Sequence, residues 1–216
     1  MKTLIPSIII VVIGITIAYF MISKPKPLKI YNPADINPKL VDESLQGTTK
    51  NHSVGDFSLT DQDGKNVTPK DFEGKIYITD FFFVTCPTIC PKMTDQMLRV
   101  YEEFKENSDI LFLSHTVMPE EDSVPVLKEY ADKHNILSER WKLVTGDKKH
   151  IYDLARKTYF AAVTEGDGGK DDFIHTENFI LVDKEKRLRG FYDGTSKKDV
   201  DRLIKDIYTL LAEYEK

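Results

Sequence analysis

Cys86 and Cys90 are the only thiols among 216 residues, and they stand four apart in FFFVTCPTICPKM, where an apolar run of β character gives way to a helical pattern. Thiolates are soft ligands that select Cu(I), zinc or iron–sulfur clusters over calcium or magnesium. On a helix, a spacing of four puts two side chains on one face with their Cβ atoms about 5–6 Å apart, within reach of one metal ion. The same pair can oxidise to a disulfide if the turn relaxes. A helix N-terminus at this point adds positive potential that favours the deprotonated sulfur. Two sulfurs alone leave a site incomplete: structural zinc almost always takes four ligands, whereas Cu(I) is content with three.

The chain offers five histidines as a third ligand. His134 and His150 lie on or beside charged helical segments and read as surface residues, and His52 falls in an irregular lead-in without a partner. His115 closes a second apolar strand, on the edge where loops meet in an α/β sheet, and is a candidate. His175 follows an acidic, Gly-rich loop over residues 165–172, which should be mobile, and it precedes the strand TENFILV. In an α/β sandwich that strand returns beside the central one, so His175 is the leading third ligand; a hydrogen bond to a loop carbonyl is its alternative role. Asp80 precedes Cys86 by six residues. Inside an apolar strand its carboxyl would have a raised pKa and could exchange protons with a nearby cysteine, whereas at a strand irregularity it would be an ordinary exposed acid. Met93 and Met97, at helical spacing, read as core, as do Trp141, Phe81, Phe82 and Phe83.

These residues need a scaffold. Residues 3–23 contain no charged side chain and are long enough to cross a hydrocarbon core of about 30 Å, so residues 1–23 are expected to be an uncleaved transmembrane anchor. Residues 24–53, with Pro25, Pro27, Pro33, Pro38 and Gly47, read as a tether and irregular lead-in. The folded unit is expected to span residues 54–216. Beyond the four basic residues that precede Ile30, 26 basic side chains face 35 acidic ones, a net charge of −9 that excludes nucleic acid as a partner. Two cysteines are too few for a disulfide scaffold, and a domain of this size can bury a sufficient core without one.

Along the domain the periodicities predict a hairpin around the turn Asp61–Gly64, a central strand over 75–84 and a helix after Cys90 with Pro91 in its first turn. A strand over 109–115, helices over 123–134 and 148–159, and a short strand at 142–144 follow. A hairpin of 178–182 with 187–192 and a closing helix over 197–214 complete the order. That order makes an α/β, thioredoxin-like sandwich with a central mixed sheet, preceded by one transmembrane helix.

TCPTICP, the Asp-Phe-Ile-His-Thr segment ending at Thr176, and this plan together resemble the Sco/SenC family of membrane-anchored copper-binding assembly proteins of cytochrome c oxidase. The resemblance covers the soluble domain and the anchor. It implies that Cys86, Cys90 and His175 hold one copper ion, Cu(I) or Cu(II), for delivery to the copper-centre subunit of the oxidase. Two departures stand out: Phe173 and Ile174 replace the usual Val-Asp before the histidine, and SHTVMPEED replaces the more usual Ser-x-Asp-Pro-Glu. The position of Asp80 resembles that of the buried aspartate of thioredoxins. The alternative function is a thiol–disulfide oxidoreductase or redox sensor that uses the Cys86/Cys90 pair, with Asp80 as proton acceptor, although thioredoxin-type catalysts space their cysteines one residue closer. The resemblance implies a single-pass protein of the bacterial inner membrane whose domain faces the periplasm; Lys24, Lys26 and Lys29 on the domain side of the apolar stretch run against the usual charge bias.

Overall fold

The computed structural model describes residues 12, 14, 26–38, 41, 46–49, 52–162, 166, 168–169 and 171–215. Apart from Val12 and Gly14, the expected anchor lies outside the described residues, among which no helix is long and apolar enough to cross a membrane.

Three parallel strands form the centre: β3 (Ile76–Phe82), β4 (Ile110–Thr116) and β5 (Trp141–Thr145). The first two are buried at every position, as expected of strands covered on both faces. A hairpin of β1 (Leu59–Asp61) and β2 (Asn66–Val67) adds antiparallel to β5. On the other side β6 (Asn178–Val182) runs antiparallel to β3 and pairs with β7 (Leu188–Asp193). The seven-stranded order β2-β1-β5-β4-β3-β6-β7 is a mixed sheet, as the sequence predicts.

One face carries α1 (Ile89–Glu103), α2 (Val124–Lys133) and α4 (Lys197–Tyr214), which bury Met93, Met97, Leu127, Leu203 and Ile207 against Ile78, Phe82 and Phe112. The opposite face is covered by α3 (Lys148–Asp153), the segment after it and the lead-in, whose Val41, Val54 and Phe57 pack beneath Tyr77 and Phe81. The helix expected over 148–159 widens into a π turn at Leu154–Thr158, where the Tyr159 amide reaches back to the Leu154 carbonyl and lets Tyr159 and Phe160 enter the core. Packing contacts extend the folded unit N-terminally of Val54, since Tyr31 forms a bridge with Leu188.

The C-terminal end of α1 is closed from a distance. Arg140 donates to the carbonyls of Phe104, Lys105, Asn107 and Ile110 at 2.5–3.0 Å. Arg140→Met keeps the aliphatic stem and removes these donors, so we expect a loss of about 2 kcal/mol in urea unfolding; an unchanged midpoint would contradict this role.

Candidate metal centre

The buried β3 delivers the chain to the C-terminal edge of the sheet. There the Cys86 amide donates to the Phe83 carbonyl, and the Val84 amide donates to Asp122, whose buried carboxylate also takes the Thr116 hydroxyl at 2.5 Å. The turn is thereby fastened to the loop before α2. Helix α1 starts at Ile89, and its N-cap Thr88 supplies no side-chain hydrogen bond. Cys86 supplies it instead: its Sγ accepts from the Cys90 amide at 3.4 Å.

This geometry corrects the expectation of two sulfurs on one helical face. Only Cys90 lies in the helix; Cys86 sits in the turn before it, because the first-turn N–H groups of a helix have no partner of their own and draw an acceptor from upstream. Both cysteines are free and buried in the core cluster formed with Phe82 and Met93.

The two thiols differ electrostatically. Burial works to raise Cys86, but the amides of Thr88, Cys90 and Ile89 and the Cys90 thiol stabilise its thiolate and hold its pKa below the ordinary value. Burial pushes Cys90 up to about 12, helped by the neighbouring sulfur and by the charge of Asp80. Cys86 is therefore the more acidic of the two sulfurs, and the Cys90 thiol donates to it.

Asp80 shares the face of β3 that carries Ile78 and Phe82, the side of the sheet on which the cysteines lie. It is buried, with Oδ1 unpartnered, and burial raises its pKa to about 7 despite a bond from Ser114, which in turn accepts from the Trp141 indole at 2.8 Å.

His115 faces the other way. It stacks on Phe81 with ring centroids 4.7 Å apart, and its Nδ1 lies 3.2 Å from the Thr79 hydroxyl and 3.3 Å from the Asp80 carbonyl. Its Nε2 has no partner among the described residues, and burial lowers its pKa to about 3. The sheet separates it from the sulfurs, so alternation along β4 assigns it to the core. His52 does have a partner, the Thr158 carbonyl at 2.8 Å, and it packs on Phe160. His134 lies on the Tyr130 ring.

His175 is exposed, between the buried Ile174 and Thr176. The Thr176 hydroxyl donates to the Ala161 carbonyl, and Arg156 grips Asp172 through two bonds of 2.6 and 2.7 Å, which fastens the end of the acidic loop that was expected to be mobile. Two residues before His175, Phe173 sets its ring edge-on against Phe83 at 5.6 Å, so this segment runs beside the cysteine turn. Cys86 and Cys90 are in contact, whereas the His175 ring is not gathered with them: no group of three or more His, Cys, Asp or Glu side chains that could hold a metal ion occurs among the described residues. Sequence reasoning missed the Phe83–Phe173 contact, Asp122, and Tyr130, which bonds Thr94 in the second turn of α1. Met93 and Met97 are core residues.

The SCO1/SenC family model matches residues 45–212. The chain belongs to this family. The SCO1 protein homolog of Bacillus subtilis (strain 168) is 33% identical over 159 residues, 73% of this chain and 82% of that protein. The structure of BsSco, described as a member of the Sco family of cytochrome c oxidase assembly proteins with a disulfide switch, superposes with a TM-score of 0.63 at 33% identity, covering 74% of this chain and 94% of that one. The copper-bound structure of Arabidopsis thaliana ScoI gives a TM-score of 0.58 at 29% identity, covering 74% and 99%. These Sco relatives share the thioredoxin-like sandwich described above.

The asymmetry of the thiols predicts that iodoacetamide near neutral pH modifies Cys86 well before Cys90, as read by peptide mass spectrometry; equal rates, or Cys90 first, would contradict it. Asp80 gives a pH signature. Between about pH 4 and 7 the unfolded chain has lost a proton that folded Asp80 keeps, so stability falls as pH rises through this window and stays low above it. Asp80→Asn should therefore be the more stable protein near pH 8, by up to roughly 4 kcal/mol, with the gap closing below about pH 4. A gap independent of pH would show that Asp80 does not titrate in this way.

Proposed function

We propose that this protein is a membrane-anchored copper metallochaperone that binds one copper ion through Cys86, Cys90 and His175 and helps assemble the dinuclear copper centre of cytochrome c oxidase. The observation that carries the reading is the sulfur pair fixed at the N-terminus of α1, in a family with a copper-bound member of the same fold. Two soft sulfurs suit Cu(I), and an imidazole completes a three-ligand shell. His175 is exposed while the sulfurs are buried, and an imidazole that joins the shell last and leaves it first would suit uptake and release of a cargo ion. In this reading residues 1–23 form the anchor, residues 54–216 the copper-binding domain, and the domain faces the periplasm from the inner membrane, where its acceptor would be the copper-centre subunit of the oxidase. Confinement to one membrane raises the carrier's effective concentration near that acceptor without any new contact.

A second reading is favoured by the unequal thiols and by the disulfide switch described for BsSco. As a thiol–disulfide oxidoreductase, the Cys86 thiolate would attack a substrate disulfide and expel one thiolate. Cys90, on losing its proton, would attack the Cys86 sulfur of the mixed disulfide, leaving a Cys86–Cys90 disulfide and a fully reduced substrate.

Copper content of the reduced full-length chain separates the two. The carrier reading expects one copper per chain, loss of tight binding in Cys86→Ala and Cys90→Ala, and at least about tenfold weaker binding, about 1.4 kcal/mol, in His175→Ala. Copper retention indifferent to His175 would remove it from the site. Turnover of a disulfide substrate without copper, abolished by Cys86→Ala, would favour the second reading.

A further inference from the structure

The chain leaves its N-terminal segment along an unusually well-fastened path. Arg189 on β7, 2% exposed, donates to the Leu28 carbonyl at 2.8 Å and the Lys29 carbonyl at 3.3 Å, to Asp183 at 2.9 Å and to Glu213 of α4 at 2.6 Å. Glu213 in turn accepts from the Leu28 amide at 2.7 Å. Three residues on, the Tyr31 amide bonds the Leu188 carbonyl, and its ring meets Phe191 edge-on at 5.3 Å. A buried guanidinium that satisfies two carboxylates and two backbone carbonyls on three separate segments is costly to open, because each partner would be left unpaired.

The register tells where this clasp sits. Leu188 pairs with Val182, and Val182 pairs with Tyr77, so the clasp is level with the beginning of β3. The cysteine turn follows the other end of the same strand. The five steps from Tyr77 to Phe82 alone separate the two poles by about 17 Å. Between Ser23, the last residue of the uncharged stretch, and Leu28 there are only Lys24, Pro25, Lys26 and Pro27. Fully extended, they let the clasp stand at most about 18 Å from the end of that stretch. The cysteine pole also carries a cleft lined by Glu120, Glu121 and Asp171 beside Lys148, an acidic rim that an anionic lipid surface repels.

The geometry points to a fixed orientation: the Arg189 clasp holds the domain with its clasp pole toward the membrane and its cysteine pole outward, so the copper ligands serve an acceptor site raised well above the lipid surface rather than one at it. This rests on the anchored-carrier reading given above and specifies the partner as a metal-accepting domain that projects from the same membrane.

Energy transfer to the membrane surface tests it. The full-length chain carrying Cys86→Ser and Cys90→Ser is reconstituted in phosphatidylcholine–phosphatidylglycerol vesicles whose headgroups bear an acceptor dye, with a donor dye on a single cysteine introduced by Glu106→Cys or Glu120→Cys. These exposed positions flank the two ends of β4, about 20 Å of strand apart. Transfer from position 106 should exceed that from position 120 by about twofold or more, given this separation. Arg189→Met, or a flexible insertion of eight glycines and serines after Lys26, which leaves the clasp itself intact, should bring the two values together. Equal transfer from a chain that floats with the vesicles, or stronger transfer from position 120, overturns the orientation alone. A chain that does not float with the vesicles overturns the anchor and the orientation with it, while leaving the copper measurements to stand or fall separately.

Discussion

The site depends on a convergence of unpaired amides. The first turn of α1 presents N–H groups that its own helix cannot satisfy, and Thr88 does not cap them. The Cys86 sulfur fills that gap, and the same contact that closes the helix stabilises the thiolate. Structure and reactivity are therefore one interaction at this position. Moving Cys86 out of the turn would uncap the helix and raise its pKa together. Cys90, in the first turn of the helix and more deeply buried, has only the Phe83 backbone to offset its burial, which makes the pair unequal.

The sheet decides which other groups can take part. Along β3 and β4 successive side chains alternate between faces. Asp80 and Ser114 fall on the cysteine face, whereas His115 falls among Phe81 and Tyr159. A histidine close to the cysteines along the sheet is thus barred, and one distant in sequence is brought near. The β6–β3 pairing and the Phe83–Phe173 contact carry the His175 segment to the cysteine turn, while the buried neighbours Ile174 and Thr176 leave the imidazole in solvent. The sulfurs are buried and the imidazole is exposed, so under the proposed copper-carrier reading ligand exchange would start at the imidazole.

Much of this was legible in the residues. Periodicity located the β6 bounds and the α4 bounds as the structure has them, since Phe179–Val182 is an uninterrupted buried apolar run and Val200, Leu203, Ile207 and Leu210 form a single buried stripe. The hairpin at Asp61–Gly64 followed from turn chemistry, with Gly64 at φ 75°. What could not be read was set by tertiary contacts. Nothing local in TCPTICP says that the helix already begins at Ile89, ahead of Cys90, because the acceptor that fixes its start is a sulfur rather than a hydroxyl. His52 gained a partner from Thr158, 106 residues away, and the Arg189 clasp joins segments at both ends of the chain. The face on which His115 lies required the strand register.

The most direct test of the central claim is copper K-edge absorption of the Cu(I)-loaded, full-length protein, compared with His175→Ala. Two sulfur neighbours and one imidazole nitrogen are predicted, with the nitrogen lost and both sulfurs kept in the variant. A shell lacking either sulfur, or a spectrum unmoved by the loss of His175, would contradict a site built from a fixed thiol pair and an approaching imidazole.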